Sequence, residues 1–206
     1  MKAVNFASLD PAHQRRNVKG LSNASRQDRA IWEEFNADPN RLAGESEEAA
    51  LRLGGLSPEP TEEIIEVPSG PSEKDLVRPV RLLQSFFRRT VLASYKCTCA
   101  FCGLEFPALL NASHIIPWNA SVELRADPRN GLCLCALHDR AFDRNLMSVD
   151  ARRRIAVSSR LKLKAEVPVH KAAFLELQGR EIILPEKFEP YQSSLEHHFG
   201  RFRKEG

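Results

Sequence analysis

Residues 97–102 read CTCAFC and residues 133–143 read CLCALHDRAFD, and these two segments contain all five cysteines of the 206-residue chain. In each segment, two side chains that bind metals are separated by two residues, a spacing that sets both on one side of a metal ion. Two such pairs can close a tetrahedral zinc site that leaves no position for a substrate. The sequence therefore predicts a structural zinc site with four ligands: Cys99, Cys102, Cys135 and His138.

The two remaining cysteines, Cys97 and Cys133, fit this paired spacing less well. They could replace Cys99 or Cys135 as ligands, but we favour a surface thiol for Cys97 and a buried apolar filler for Cys133. Disulfides are disfavoured, because the N-terminus, MKAVNFASLDPAHQRR, lacks the apolar core of a secretion signal. Four buried side chains without a metal are the alternative to the zinc site.

The segment between the two pairs predicts a strand, a loop and a second strand ahead of a helix. Residues 111–118 read NASHIIPW, and the two adjacent isoleucines are typical of a strand. Residues 127–131 read DPRNG, a strong turn signal, and a short apolar run and a helix follow. This pattern places three polar side chains on different elements, with His114 on a strand, Asn130 in a loop and Asp139 on a helix.

In this order, the CxxC pair, SHIIPW and NGLCLCALHDRAFD resemble the HNH nucleases, also called the ββα-metal fold, and are most similar to a branch described as restriction endonucleases. The motifs cover about residues 97–150, and a looser likeness extends to residues 21–26 and 86–88. The resemblance implies an α+β fold, in which a zinc-stapled ββα-metal core carries N-terminal helices and a C-terminal extension of a hairpin and a helix. It also implies a metal-dependent DNA endonuclease that leaves 5′-phosphate and 3′-hydroxyl ends.

The resemblance further implies roles for individual residues. His114 matches the general base that takes a proton from the attacking water, a task that suits neutral imidazole. Asn130 matches the asparagine that holds the loop and the base in register through hydrogen bonds to the backbone. Asp139 takes the place of the final histidine, and we assign it as a ligand of a catalytic Mg²⁺ or Mn²⁺ ion. Asp143, one helical turn later, is a further candidate ligand, although a helix-end or salt-bridge role is favoured for it.

Three positions depart from the commonest family pattern. Ser113 stands where many members carry Asp or His beside the general base. The final histidine is replaced by Asp139, and the zinc set contains His138 where four cysteines are common. Because a neutral hydroxyl is a poorer metal ligand than a carboxylate, these changes affect the expected metal geometry more than the reaction class.

Charge is distributed unevenly along the chain. Residues 1–74 carry a net charge of −4, and residues 75–206 carry a net charge of +7. A basic half suits a polyanionic partner, because Lys and Arg displace counterions from phosphates, whereas a solvated basic face is the alternative. We predict double-stranded DNA as the partner, with four arginines as candidate contacts: Arg88, Arg89, Arg140 and Arg144.

The N-terminal part of the chain predicts two helices. Ser25, followed three residues later by Asp28, is typical of a capped helix start. A second helix is predicted from about Pro39 or Glu45 to Leu53. No base-reading module is recognisable in this region, so its role is left unassigned.

A proline-rich linker is predicted to separate these helices from the nuclease. Residues 56–72 contain four prolines and several glutamates, and a long helix follows at about 73–94. Pro79 suggests a later start for this helix, near residue 79, as the alternative. We therefore divide the chain into an N-terminal helical region with its linker, residues 1–72, and an HNH nuclease domain, residues 73–206.

Beyond the motif, the pattern predicts short strands and helices. The segments 146–149 and 154–158 flank a turn and indicate a hairpin. A short helix is predicted at 171–177, a short apolar run follows at 182–184, and a terminal helix is predicted at 191–202.

Three classes of function are compatible with these patterns. The first is a DNA endonuclease, of restriction or anti-phage type. The second is a zinc-stabilised DNA-binding module without catalysis, which Ser113 motivates, and the third is an interaction protein whose N-terminal helices recruit a partner. His114 separates the first two, because a pure binder needs no base beside an acid that binds metal.

Two expectations concern the setting in which the protein works. No apolar run approaches the roughly 20 residues that a membrane span needs, and without a secretion signal we expect a cytoplasmic protein. One ββα site cuts one strand, so a homodimer would be one way to cut both strands.

Overall fold

Apart from the isolated positions 9, 14 and 15, the computed structural model describes three stretches of the chain: 25–53, 74–163 and 166–205. In residues 74–79 the backbone alone is described. The predicted linker at 56–72 and most of the looser family likeness at 21–26 lie outside the described residues. The described stretches combine helices with two small antiparallel sheets, so the predicted α+β class is confirmed.

Two N-terminal helices, α1 (Arg26–Asn36) and α2 (Pro39–Arg52), begin at side-chain caps. The Ser25 hydroxyl accepts the backbone N–H of Asp28, and the Asp28 carboxylate accepts the N–H of Ser25, which confirms the predicted cap. The Asp38 carboxylate caps α2, and the proline at its first position loses no hydrogen bond there. Of the two predicted starts for α2, the earlier one is therefore correct.

The long helix α3 (Lys74–Ser94) lies within a residue of its predicted bounds. The alternative start near Pro79 is wrong, because α3 already begins at Lys74. The backbone N–H that proline lacks falls in the early turns of α3, and buried side chains follow further along the helix, among them Leu82, Phe87 and Val91. The helix packs against α2 and against the hairpin described next.

A ββα unit forms the centre of the protein. Strand β1 (Leu110–His114) pairs antiparallel with β2 (Gly131–Cys135), so that the first residue of β1 faces the last residue of β2. Helix α4 (Ala136–Asp143) follows β2 without a loop and packs on both strands. The predicted order of strand, loop, strand and helix is confirmed, but the two isoleucines that suggested the first strand lie just beyond its end at His114.

Gly131 allows α3 to approach the hairpin closely. A Cβ at this position would lie 2.5 Å from Cγ2 of Val91 and 2.9 Å from Cζ of Phe87, both on α3. The backbone of Gly131 is extended, with φ −125° and ψ 145°, so space and not conformation requires glycine here. The residue opposite Gly131 in the sheet is His114.

After α4, the chain forms a second hairpin and three helices: β3 (Met147–Val149), β4 (Ile155–Val157), α5 (Ser159–Lys162), α6 (Pro168–Ala173) and α7 (Gln192–Glu205). The predicted hairpin is confirmed, and the Asp150 carboxylate closes its turn by accepting the backbone N–H groups of Arg152 and Arg154.

Two C-terminal predictions need adjustment. The helix expected at 171–177 starts earlier, because a proline begins α6, and it is interrupted at Phe174 before a 3-10 turn at Leu175–Leu177. The apolar run at 182–184 lies outside the named strands, and the N–H of Ile183 bonds to the Ala100 carbonyl. The terminal helix α7 extends three residues beyond the predicted 202.

Side chains from α3, both hairpins, α4 and α7 share one apolar core. Its largest fully buried hydrophobic members are Phe87, Phe142, Leu110, Ile115, Leu132, Leu134, Met147, Ile155 and Leu195. The ββα unit shares this core with α3, with the second hairpin and with α7, and these elements hold it in place. Among the residues that the structure describes, no helix combines the length and the apolar character needed to cross a bilayer.

Candidate active site

Four side chains predicted as zinc ligands come together at one end of the ββα unit. Cys99 and Cys102 lie on the turn after α3, Cys135 ends β2 and His138 lies in the first turn of α4. One potential ligand atom from each lies within 4.8 Å of the others. This Cys₃His cluster has the donor set and spacing of a structural zinc site, as the sequence predicted.

His138 is oriented for metal binding by a backbone carbonyl. Its Nε2 lies 2.7 Å from the Ala173 oxygen at the end of α6, so Nε2–H donates to that oxygen. Nδ1 is then the nitrogen that faces the sulfurs, at 3.1 Å from Cys135 and 3.6 Å from Cys99. Metal-binding histidines usually donate their second N–H in this way, and the contact selects the ring tautomer.

The ligand side chains also perturb one another's protonation. Hydrogen bonds with Cys102 and then Cys135 lower the pKa of Cys99. Burial lowers the pKa of His138, but hydrogen bonds with Cys135 and Cys99 outweigh it and raise this pKa to about 10. Zinc binding would release these shared protons, because the metal binds thiolates and a neutral imidazole.

The other two cysteines lie outside the cluster. Cys133 is fully buried on β2, and burial raises its pKa to about 12, so it remains a thiol and fills the core as predicted. Cys97 is half-buried and packs against the core, so the prediction of a surface thiol is wrong in part. The burial arises because the turn after α3 folds back on the helix, with the Cys97 N–H bonded to the Leu92 carbonyl.

His114 ends β1 and is held from three directions. Its Nε2 lies 3.0 Å from the backbone oxygen of Arg125, so Nε2–H donates and the lone pair is on Nδ1. The Phe87 ring stacks on the imidazole with centroids 3.7 Å apart and planes at 11°. The Trp118 ring meets it edge-on at 5.7 Å.

Burial lowers the pKa of His114 below its ordinary value of 6.5, against the hydrogen bond to Arg125 and the nearby Asp139 carboxylate, which both raise it. The imidazole is therefore neutral at pH 7. A neutral ring with its lone pair on Nδ1 is able to accept a proton there.

Asn130 closes the loop that follows His114. Its Oδ1 accepts the backbone N–H of Ile116 at 2.9 Å, and its Nδ2 donates to the Ile116 carbonyl at 3.0 Å. The Asn130 carbonyl also accepts the N–H of Ile115. The predicted hydrogen bonds between Asn130 and the backbone near His114 are therefore present.

Asp139, on the first turn of α4, is 9% exposed and is oriented by two side chains of β1. Asn111 donates from Nδ2 to Oδ2 at 2.8 Å, and the Ser113 hydroxyl donates to Oδ1 at 2.5 Å. Ser113, which stands where a second acid was considered, thus supports Asp139 through a hydrogen bond. A carboxylate with both oxygens held in place still has lone pairs to offer a cation.

Asp143 has a different environment from Asp139. It is exposed and lines a groove with four arginines, so it faces positive side chains. Among the described residues, only the cysteine and histidine cluster gathers three or more His, Cys, Asp or Glu ligand atoms within 4.8 Å. The assignment of Asp143 to a catalytic ion therefore stays a prediction.

The predicted DNA contacts fall in two places. Arg140, exposed on α4, and Arg144, exposed just after its end, line a groove of about 600 Å³ together with Arg160 and Arg201. Arg88 and Arg89 lie on α3, and Arg89 is ion-paired with the buried Glu47 of α2. The Arg89 contact ties two helices together, so its guanidinium is already engaged within the protein.

Several residues of the site were not predicted from the sequence. The carbonyls of Arg125 and Ala173 carry no side-chain signal and are brought to the histidines by the fold alone. Asp127 is buried, and it accepts hydrogen bonds from Arg129 and from the Tyr191 hydroxyl. The turn signal at 127–131 marked this position but not its partner, which is distant in the chain.

Residues 99–150 match the family model described as HNH endonuclease. The matched segment contains the four side chains that could bind zinc, together with His114, Asn130 and Asp139, and it covers the ββα unit with the following strand. Residues 99–150 therefore form an HNH domain, as their motifs indicated. No curated protein matches the chain.

Proposed function

We propose that this protein is a metal-dependent endonuclease that hydrolyses phosphodiester bonds in double-stranded DNA. The observation that carries the proposal is the state of His114, a neutral imidazole with Nε2–H held by the Arg125 carbonyl and Nδ1 available, near the Asp139 carboxylate. A pure DNA-binding module would have no need of such a base beside an acid that is oriented to bind a metal. The HNH match at 99–150 supports the same reaction class.

In this mechanism, Nδ1 of His114 takes a proton from the water that attacks phosphorus. The Arg125 carbonyl fixes the acceptor nitrogen, and stacking on Phe87 fixes the ring plane. Asn130 holds the backbone that follows His114, so the base and the loop keep their register. Fixed placement matters because a displacement of about 1 Å can reduce a rate on the order of 100-fold.

Asp139 is the residue that would hold a divalent cation. Its carboxylate is a hard oxygen ligand that suits Mg²⁺ or Mn²⁺, and Asn111 and Ser113 orient it. When bound, such an ion supplies positive charge to a phosphate oxygen and to the leaving 3′ oxygen. The protein offers one buried carboxylate here, Asp139, so substrate phosphate and water would have to supply the other ligands of such an ion. The expected products carry 5′-phosphate and 3′-hydroxyl ends.

The arginine groove supports DNA as the substrate. Four arginines line this groove, whereas only two carboxylates do, those of Asp143 and Glu205, so the surface is basic. The arginines are Arg140, Arg144, Arg160 and Arg201. Arg140 lies on α4, the helix whose first turn carries Asp139, so a phosphate backbone bound in the groove would contact the same helix as the proposed metal ligand. Arginine binds phosphate through paired N–H donors and gives affinity without sequence preference.

Further parts of this proposal rest on the family resemblance. A restriction or anti-phage role would require a target sequence or a trigger, and we propose it together with a cytoplasmic location. A homodimer would present two active sites to opposite strands of a duplex.

The proposal is tested by incubating purified protein with supercoiled plasmid in Mg²⁺ or Mn²⁺, with and without EDTA. We expect nicked or linear DNA that forms only with a divalent ion and carries 5′-phosphate ends. Salt-sensitive DNA binding without strand scission under any of these conditions would favour a zinc-stabilised DNA-binding module instead. Absence of both cleavage and affinity would favour an interaction protein.

A further inference from the structure

A side chain from the N-terminal helices reaches the loop that holds His114. Asn40, in the first turn of α2, donates from Nδ2 to the Val122 carbonyl at 2.8 Å. Its Oδ1 accepts the backbone N–H of Ala126 at 3.1 Å. These two contacts bracket Arg125, whose carbonyl accepts the Nε2–H of His114.

The bracketed loop has other polar anchors within the HNH segment itself. Asn130 donates from Nδ2 to the Leu124 carbonyl at 3.3 Å, and Arg125 donates from Nε to the Trp118 carbonyl at 3.0 Å. The Arg125 guanidinium also lies over the Trp118 ring, 5.2 Å from its centroid. Asn40 adds an anchor from more than 80 residues away in the chain.

Helix α2 is itself fixed to the rest of the protein, so it can serve as a rigid support. Buried Glu47 on α2 forms an ion pair with Arg89 on α3, and Ala43 of α2 is fully buried. The Asp38 cap holds the first turn, in which Asn40 lies. The position of Asn40 is therefore coupled to α3, whose Phe87 stacks on His114.

We infer that Asn40 is a positioning residue of the active site and that the N-terminal helices are part of the catalytic unit. The inference rests on the proposed endonuclease function. Asn40 holds the backbone on both sides of Arg125, which keeps the carbonyl in place and the proton of His114 on Nε2. The division of the chain at residue 72 would then separate the base from one of its supports.

Loss of the Asn40 amide should affect turnover more than substrate affinity. Without it, the Val122 carbonyl and the Ala126 N–H turn to water, and the Arg125 carbonyl is less well fixed. The imidazole then also adopts the tautomer with its proton on Nδ1, in which Nδ1 has no lone pair to accept a proton from the attacking water. We expect kcat to fall on the order of 10-fold to 100-fold for Asn40→Ala, with KM nearly unchanged.

The matched control is Asn36→Ala, which removes an exposed asparagine at the end of α1. A second variant, Asn40→Asp, keeps the acceptor for Ala126 but removes the donor to Val122. A carboxylate in the first turn of a helix is favourable, so this variant is expected to fold. Zinc content and helical circular dichroism of all variants establish that the fold is retained.

The direct readout is the ¹⁵N NMR spectrum of the His114 imidazole, whose two nitrogen shifts report the tautomer without any cleavage. Both Asn40 variants should shift these signals towards a mixture of tautomers and lower kcat, whereas Asn36→Ala should match the wild type. Unchanged His114 signals and unchanged kcat in folded Asn40 variants would overturn the inference. Because the spectrum does not require activity, it also tests the inference in a protein that fails to cut DNA.

Discussion

His114 combines two features that act on its protonation in different ways. Burial lowers its pKa, and the hydrogen bond to the Arg125 carbonyl selects which nitrogen carries the proton of the neutral ring. The side chain is therefore ready to accept a proton at neutral pH. The state of this one ring decides whether the site can act as a base.

The first prediction concerns the dependence of cleavage on pH. Because the pKa of His114 lies below its ordinary 6.5, the neutral form should persist below that pH. The cleavage rate should then fall on the acidic side with a midpoint below pH 6.5, measured at saturating Mn²⁺ or Mg²⁺. An acidic limb centred above pH 6.5 would contradict this assignment of the base.

The second prediction separates Asp139 from Asp143. Asp139→Asn should reduce cleavage by about 100-fold or more, since the expected ion contributes several kcal/mol of charge stabilisation. Asp143→Asn, on the exposed face of the same helix, should have a much smaller effect. Zinc content should be unchanged in both, and equal losses of activity would show that Asp143 also serves the ion.

At the residue scale, the sequence predicted the parts of the site that lie in one short motif. His114, Asn130 and Asp139 follow from the resemblance of their motifs to the HNH nucleases, and their roles stay predictions. The Arg125 carbonyl was not found, since every residue has a backbone carbonyl and only the fold selects one. Ser113 departs from the Asp or His that is common in the family, and the sequence does not predict that its hydroxyl donates to Asp139.

At the element scale, the contact between α3 and β2 depends on Gly131. Gly131→Ala would place a Cβ 2.5 Å from Val91 and 2.9 Å from Phe87, and a packed core cannot move both without strain. We expect a loss of about 1–3 kcal/mol in the free energy of unfolding, measured by urea denaturation.

The matched control for this change is Gly44→Ala on α2. Nothing lies within 4 Å of a Cβ at Gly44, and alanine is the better helix former, so this change should be neutral or slightly stabilising. A Gly131→Ala protein as stable as wild type would show that α3 does not pack on the hairpin as described.

The buried His198 connects helix α7 to α4 and to β3. The His198 Nε2–H donates to the Phe142 carbonyl, the Ser148 hydroxyl donates to Nδ1, and the ring stacks on Phe142 at 3.6 Å. Burial lowers the pKa of His198 to about 4. The folded protein therefore holds this ring neutral.

The resulting prediction concerns stability in acid. Between pH 6.5 and about 4 the unfolded chain binds a proton at His198 that the folded protein does not. The stabilisation is thus complete above pH 6.5 and is lost as pH falls towards 4, by up to about 3 kcal/mol. The free energy of unfolding, measured by denaturant titration at several pH values, should show this fall.

Zinc release also destabilises the protein in acid, so the comparison must be between variants. His198→Gln should be less stable than wild type at pH 7 and should lose less stability between pH 6.5 and 4. His197→Gln, at the exposed neighbouring position, should keep the wild-type dependence. A His198→Gln protein with the full wild-type dependence would exclude His198 as the cause.

At the element scale, hydrophobic periodicity predicted most helices and strands, while their ends depended on local chemistry. The predicted cap at Ser25 was correct because both of its partners lie within three residues. The later start at Pro79 was wrong because a single missing N–H does not end a long helix that packs well beyond it. The start of α6 was placed too late, although Pro168 suits a first helical position.

At the scale of the whole molecule, the Cys₃His cluster joins elements that would otherwise meet only through the core. Its ligands come from the turn after α3, the end of β2 and the start of α4, and a carbonyl of α6 supports His138. A metal held by such a site contributes directly to folding.

The prediction at this scale is a dependence of the fold on one zinc ion per chain. Cys102→Ser should lower the zinc content, measured by mass spectrometry of the metal, and should lower the thermal unfolding midpoint. Cys97→Ser, at a half-buried cysteine outside the cluster, should keep the zinc. Equal zinc contents in the two variants would contradict the assigned ligand set.

The arrangement of the whole chain was the least predictable from the sequence. The charge pattern and the proline-rich linker favour a division at residue 72. No short sequence motif indicates a contact between residues 1–72 and residues 73–206. The contacts of Asn40 with Val122 and Ala126 join residues more than 80 positions apart. Such long-range pairs of asparagine with backbone have no sequence pattern, so the structure was needed to find them.

The central claim is that His114 is the base of a DNA endonuclease. The most direct measurement compares plasmid cleavage by wild-type protein and His114→Ala in Mn²⁺ or Mg²⁺, with zinc content and circular dichroism recorded on the same preparations. We expect the wild type to nick or linearise the plasmid and the folded, zinc-containing variant to leave it intact. Cleavage by the variant at the wild-type rate would contradict the account.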